Sequence, residues 1–145
     1  MNLDALPWTL IEAKNDEGPI LVRRRDFPGD FPKGDFPHRL NVFWQMTESS
    51  PNGMPEDAES DRMRTFEDRL IEATEPDHQT VLSLVVTGKS QREYVFHTRR
   101  TDEFLRRLTD MPQESEPYPI EIHHTEDSAW EYVDRVLSDF TFDEA

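Results

Sequence analysis

TVLSLVVTGKSQREYVFHT, residues 80–98, is the stretch on which the fold turns. Val, Leu, Thr, Tyr and Phe crowd its two ends, and Gly88-Lys89-Ser90-Gln91 parts them as a tight turn does. The spacing predicts two strands, 80–87 and 92–98, joined as a hairpin. Upstream, Pro55 suits a first helical position, and Glu56, Asp57 and Glu59 complement the positive end of a helix dipole. Met63, Phe66, Leu70 and Ala73 then recur at helical spacing until Pro76 stops them. Downstream, Thr101 or Asp102 caps a second helix with Phe104, Leu105, Leu108 and Met111 on one face, ended by Pro112. A strand at 38–46, with Leu40, Val42, Trp44 and Met46 on one side, precedes the first helix, and another at 118–124 follows the second. The core 38–124 therefore reads β-α-β-β-α-β. The expected fold is α+β, a ferredoxin-like antiparallel sheet with both helices on one face.

Further out, two β-prone runs at 8–13 and 20–25 surround Asn15, Asp16 and Gly18, which predicts an amino-terminal hairpin over 8–25 that extends the sheet. Residues 26–37 carry Phe-Pro at Phe27, Phe31 and Phe36. Each proline removes a backbone donor and biases the phenylalanine before it toward extended geometry. The stretch is expected to be an irregular loop that pins its rings onto the core. A last helix over 127–140 has Trp130, Val133, Leu137 and Phe140 on one side and is expected to cover an end or an edge of the sheet. The whole of 1–145 reads as a single domain.

Charge is the strongest compositional signal. Asp and Glu number 31 against 16 Lys and Arg, a formal net charge of -15, which repels phosphate backbones and excludes nucleic acid as the expected partner. A basic protein surface is the partner such a charge attracts; solubility alone explains it as well. With no cysteine, disulfides, zinc-thiolate sites and thiol catalysis are ruled out. MNLDALPWTL lacks the basic and apolar regions of a signal peptide, and no apolar run reaches membrane-spanning length. A cytoplasmic protein is expected.

Several motifs invite chemistry. SLVVTGKS resembles a phosphate-binding loop, but Ser83 stands where the first glycine is needed and a strand, not a helix, follows Ser90; nucleotide binding is rejected. Ser49, Ser50 and Ser83 sit near no nucleophile elbow. His123 and His124 are adjacent on a strand and point to opposite faces. Alternation on the sheet sets Arg39, Asn41, Phe43 and Gln45 on the helix-free face with Glu93, His97, Glu121 and His123. Those residues are either a recognition surface, a weak metal site or an acid–base pair, or simply a solvated polar face. Arg23, Arg24 and Arg25 read as a solvated edge strand. On the first helix Glu67, Asp68, Glu72 and Glu75 form an acidic face that either docks a basic partner or is simply solvated.

FPHRL (36–40), NGMPEDAESDRMRTFEDRL (52–70), SQREYVFHT (90–98) and YPIEI with EDSAWEYV (118–133) together resemble the domain of unknown function 695 family over nearly the whole chain. The most specific pieces are Phe36-Pro37-x-Arg39, Asn52-Gly53-x-Pro55 ahead of Phe66-Glu67-Asp68, Arg92-Glu93 ahead of Phe96, and Asp127 with Trp130 and Tyr132. The resemblance implies a bacterial cytoplasmic domain, in some members joined to a domain similar to the ribonuclease E inhibitor protein B, which is acidic and acts by binding a protein. No such companion is expected after Ala145, so that inhibition is not carried over. His97 departs from the family pattern, where a tyrosine more often follows Phe96.

These readings converge on a non-enzymatic interaction or regulatory module. The alternative is a small-ligand binder or enzyme on the open sheet face, with candidate residues Arg39, Phe43, Glu93, His97, Glu121 and His123. The acidic candidates are Glu67, Asp68, Glu72 and Glu75. No catalytic residue, metal ligand, cofactor or oligomeric state is assigned.

Overall fold

Thr80–Gly88 (β4) and Gln91–Thr98 (β5) form the expected hairpin, and they lie at the centre of the sheet. The computed structural model describes residues 2–15 and 18–139. Besides this pair the strands are Trp8–Asn15 (β1), Gly18–Arg25 (β2), His38–Gln45 (β3) and Ile120–Glu126 (β6); the helices are Asp57–Thr74 (α1), Thr101–Asp110 (α2) and Glu131–Asp139 (α3). The fold is α+β: one six-stranded sheet in the order β1-β2-β4-β5-β3-β6, antiparallel at every pairing. Asp16, Glu17 and Phe140, to which the hairpin turn and the end of the last helix were assigned, lie outside the described residues. Among those residues no helix is long and apolar enough to cross a membrane.

Strand alternation divides the core in two. Leu40, Val42, Trp44, Leu82, Val85, Tyr94 and Phe96 point to one face, where Met63, Phe66 and Leu70 of α1 and Phe104 of α2 pack on them. On the other face Ile20, Val22, Leu84 and Val95 are covered by Tyr132, Val133, Val136 and Leu137 of α3. This corrects the expectation that the last helix caps an end or edge: it lies across the sheet. The physical reason sits in β4, which is buried at every position except Val86. A strand without polar alternation needs cover on both sides. At Ser83 the β4–β5 register slips by one residue, a β-bulge that turns the serine toward β5 while keeping Leu82 and Leu84 on their proper faces.

A third cluster closes one end. Phe31 and Phe36 are buried with Leu3, Val81 and Trp130, and Phe27 packs against them; the Phe27 and Trp130 rings meet edge-on at 5.1 Å. The Phe-Pro loop does pin its rings onto the core. At the opposite end, Lys89 and Ser90 both take left-handed backbone, at φ 55° and 63°, the geometry a two-residue hairpin turn demands. Gly53, itself at φ 85°, lies so close beneath this turn that a Cβ there would sit 2.9 Å from the Lys89 nitrogen, and its carbonyl accepts from Ser90 N at 2.9 Å. Only glycine fits that contact.

The arginine run departs most from expectation. β1, not β2, is the edge, so Arg23-Arg24-Arg25 is flanked by strands on both sides. Arg25 is buried, donating to Glu75 at 2.7 Å, to Leu82 O at 3.1 Å and to Leu3 O at 2.6 Å. Arg23 donates to both oxygens of Glu67, at 2.6 and 3.3 Å, and both arginines approach the Trp8 ring.

Candidate functional site

Two surfaces carry the sequence-derived candidates. On the sheet, the register pairs Arg39 with His97 and Thr125, Asn41 with Val95 and His123, and Phe43 with Glu93 and Glu121. All six candidates therefore share one face, as alternation requires, but α3 divides them.

Arg39, Glu93 and His97 are drawn beneath the start of α3. Asp127 supplies the anchor, because its carboxylate accepts from Glu131 N at 2.9 Å and Tyr132 N at 3.2 Å, satisfying amides that open the helix. The same carboxylate accepts from Arg39 at 3.0 Å. Arg39 also donates to Asn41 at 2.9 Å and lies 4.2 Å from the centre of the Tyr132 ring. Asn41 passes the chain on to Glu93 at 2.7 Å, and Tyr132 donates its hydroxyl to the same Glu93 oxygen at 2.5 Å. The result is a closed polar ring between sheet and helix. Burial acts to raise the Asp127 carboxyl, but Arg39 and the two amides outweigh it and hold it below its ordinary value. Burial, and then the neighbouring Glu93 carboxylate, raise the Tyr132 hydroxyl, which stays protonated and donating.

His97 is fully buried, stacked on Trp130 with ring centres 4.0 Å apart. Its Nδ1 is 3.0 Å from Ser83 Oγ and its Nε2 is 3.7 Å from Asp127, so hydroxyl, imidazole and carboxylate stand in the order of a hydrolytic triad. The chemistry does not follow from the order. Ser83 is 1% exposed and also donates to Val95 O at 2.9 Å, while the Asp127 carboxylate is committed to Arg39 and α3. Burial drives the imidazole down to about 4 against the opposing pull of Asp127, so it is neutral at pH 7. The trio braces α3. Trp130 completes the brace: its indole donates to Lys33 O and Phe36 O at 3.0 and 3.1 Å, which ties the Phe-Pro loop to the helix.

Phe43, Glu121 and His123 remain outside. Glu121 and His123 are exposed on β6 and hydrogen-bonded to each other at 2.7 Å, with the Phe43 ring edge-on to His123 at 5.5 Å. Two clefts flank α3, one of about 260 Å³ beside Lys33, Ser83 and Trp130, the other of about 220 Å³ beside Glu93 and Tyr132. Of the six face candidates only Glu93 lines either cleft, so neither brings them together.

The acidic candidates on α1 also divide. Glu67 and Glu75 turn inward to Arg23 and Arg25, and Glu75 accepts Leu82 N at 2.7 Å as well. Asp68 and Glu72 stay exposed. They border a cavity of about 420 Å³ between α1 and the amino-terminal 3-10 turn Leu3–Ala5, lined also by Asn2, Leu3, Asp4, Ile71, Glu75, Pro76 and His78. Among the described residues no Lys or Arg is in that lining. Glu75 is 3% exposed, and its Oε1 has no hydrogen-bond partner, nor has Arg25 Nε behind it. Asp4 was not among the sequence candidates, since nothing in MNLDALPW announces a turn that folds back beside α1.

A family model described as a family of unknown function, DUF695, matches residues 7–137. No curated protein and no solved structure matches. Three of the pieces of sequence that carried the resemblance meet in space, for Arg39, Glu93, Asp127, Trp130 and Tyr132 all belong to the brace that holds α3 to the sheet. With its match running through every described strand and into the last helix, the chain belongs to the DUF695 family.

Proposed function

We propose that the chain is a non-enzymatic interaction module that receives a basic side chain of a partner protein in the acidic cavity between α1 and the amino-terminal turn. The observation that carries this reading is the cavity itself: Asp4, Asp68 and Glu72 at its border, Glu75 in its lining, and no Lys or Arg among the described residues that line it. An arginine is the best guest. Its guanidinium presents several donors in a plane and bonds carboxylates in pairs, and its weak hydration lowers the cost of entering a partly enclosed space. The net charge of -15 adds long-range attraction and speeds encounter with a basic surface. A cytoplasmic setting belongs to the same proposal. So does a ferredoxin-like core, supported by the order β4-β5-β3-β6 with α1 linking β3 to β4 and α2 linking β5 to β6.

The test uses arginine-containing basic peptides against the wild-type chain and a D4N/D68N/E72Q variant. These three positions are chosen because reversing Glu67 or Glu75 would break internal ion pairs and confuse binding with unfolding. Wild type binds, more weakly as salt rises, and the variant loses about tenfold or more in affinity, or about 1.4 kcal/mol. Equal binding by the two proteins, or none by wild type, refutes the reading.

A further inference from the structure

The cleft of about 260 Å³ between α3 and the Phe-Pro loop takes no part in the docking of a basic partner. Its walls are apolar, with Phe27 and Trp130 meeting edge-on at 5.1 Å and Val133 and Leu137 beside them. Arg24, on the same face of β2 as Val22, is answered within the protein: its Nε donates to Asp26 at 3.0 Å, and Asp26 also accepts from Thr9 at 2.7 Å. Lys33 and Asp134 are not answered. Lys33 Nζ lies 5.6 Å from the centre of the Trp130 ring and, among the described residues, pairs with no carboxylate. Asp134, exposed in the first turn of α3, pairs with no cation among those residues. Two opposite charges thus line one cleft without meeting across it. Trp130 also holds left-handed backbone at φ 58°, a strained conformation for a bulky residue, and the bulged Ser83 belongs to the same lining. Both kinds of irregularity concentrate at ligand sites.

We propose that this cleft binds a small zwitterion, a free α-amino acid with an apolar side chain. The guest's carboxylate bonds Lys33 Nζ, its ammonium bonds the Asp134 carboxylate, and its side chain lies against Phe27 and Trp130. Size limits the guest, for 260 Å³ falls below the range of about 300–1,000 Å³ that holds drug-sized ligands. Charge selects it. A plain anion would meet Asp134 and the net charge of -15, and a plain cation would meet Lys33 and Arg24. A molecule that is neutral overall but carries both charges avoids either penalty and gains two charge-assisted hydrogen bonds.

Titrating the ¹⁵N-labelled whole chain with L-phenylalanine tests the assignment, beside 3-phenylpropionate, which lacks the ammonium, and phenethylamine, which lacks the carboxylate. Wild type gives saturable shifts at Phe27, Lys33, Val133 and Asp134, and each truncated compound binds about tenfold more weakly than the amino acid. Two variants complete the cross. K33Q weakens L-phenylalanine about tenfold and leaves phenethylamine unchanged, whereas D134N weakens it by a similar factor and leaves 3-phenylpropionate unchanged. Both side chains are exposed, and K33Q keeps the Lys33 carbonyl that accepts the Trp130 indole, so the variants fold. The assignment falls if L-phenylalanine produces no saturable shifts, if the shifts lie away from this cleft, or if either variant weakens all three compounds alike.

Discussion

His97 has no counterpart elsewhere in the chain: an uncharged imidazole inside an apolar stack, with a carboxylate too far away to hold a proton on it. Its protonation is depressed from 6.5 to about 4, chiefly by burial. The unfolded chain therefore takes up a proton between those values that the folded chain refuses. Stability from this residue is complete above pH 6.5 and erodes as pH falls toward 4, by about 3 kcal/mol across the window. Urea unfolding at a series of pH values reads this directly: wild type weakens between pH 6.5 and 4.5, and H97F weakens less. Parallel slopes would contradict the assignment. Glu75 gives a second residue-scale contrast. E75A strands Arg25 in the interior and costs about 3–5 kcal/mol, whereas E72Q, one helical turn away on the exposed side, leaves the unfolding midpoint unchanged. Sequence could not separate Glu72 from Glu75. Both are acids on a helix, and only the position of Arg25 beneath the helix decides which one turns inward.

Among the elements, α3 was legible as a helix and illegible as a lid. The apolar spacing of Trp130, Val133 and Leu137 was plain in the sequence, but what they cover depends on which strands present a second apolar face. The clue lay in β4, whose Val81, Leu82, Leu84, Val85 and Val86 set apolar side chains on both faces. The bulge at Ser83 obscured it, since one extra residue breaks the two-residue alternation on which face assignments depend. Arg23 to Arg25 failed for a related reason. A run of arginines suits a solvated edge, and only the pairing of β2 with β4 makes it interior. Asp127 is the hinge-pin of α3: it holds Arg39 with one oxygen and the helix amides with both. D127A leaves Arg39 without its carboxylate and the first turn uncapped, at a cost of about 3 kcal/mol or more. Hydrogen exchange distinguishes a local from a global effect. Amides of α3 lose protection before those of α1, and uniform loss would contradict the brace.

At the scale of the whole molecule, local pattern carried most of the architecture: six strands and three helices in order, with the β4–β5 hairpin at the centre. What it could not carry were contacts between distant parts of the chain, and the candidate sites depend on those. The expected open face lost Arg39, Glu93 and His97 to internal bonding, and the expected acidic face lost Glu67 and Glu75. Of the acidic face only Asp68 and Glu72 stayed exposed, and they border a turn at Leu3–Ala5 that had given no signal. Acidity itself behaves differently at the two scales. Arginines along the chain are taken up by nearby carboxylates, as Arg107 is by Asp77 and Glu103, so the surplus negative charge stays on the surface. That surplus favours a basic partner without choosing the place of contact; the cavity between α1 and the amino terminus makes the choice. Titrating the ¹⁵N-labelled chain with an arginine-containing peptide tests this most directly. The account predicts shifts concentrated at Leu3, Asp4, Asp68, Ile71 and Glu72 that fade as salt is added. Shifts confined to α2, β6 or the clefts beside α3, with those five amides still, would contradict it.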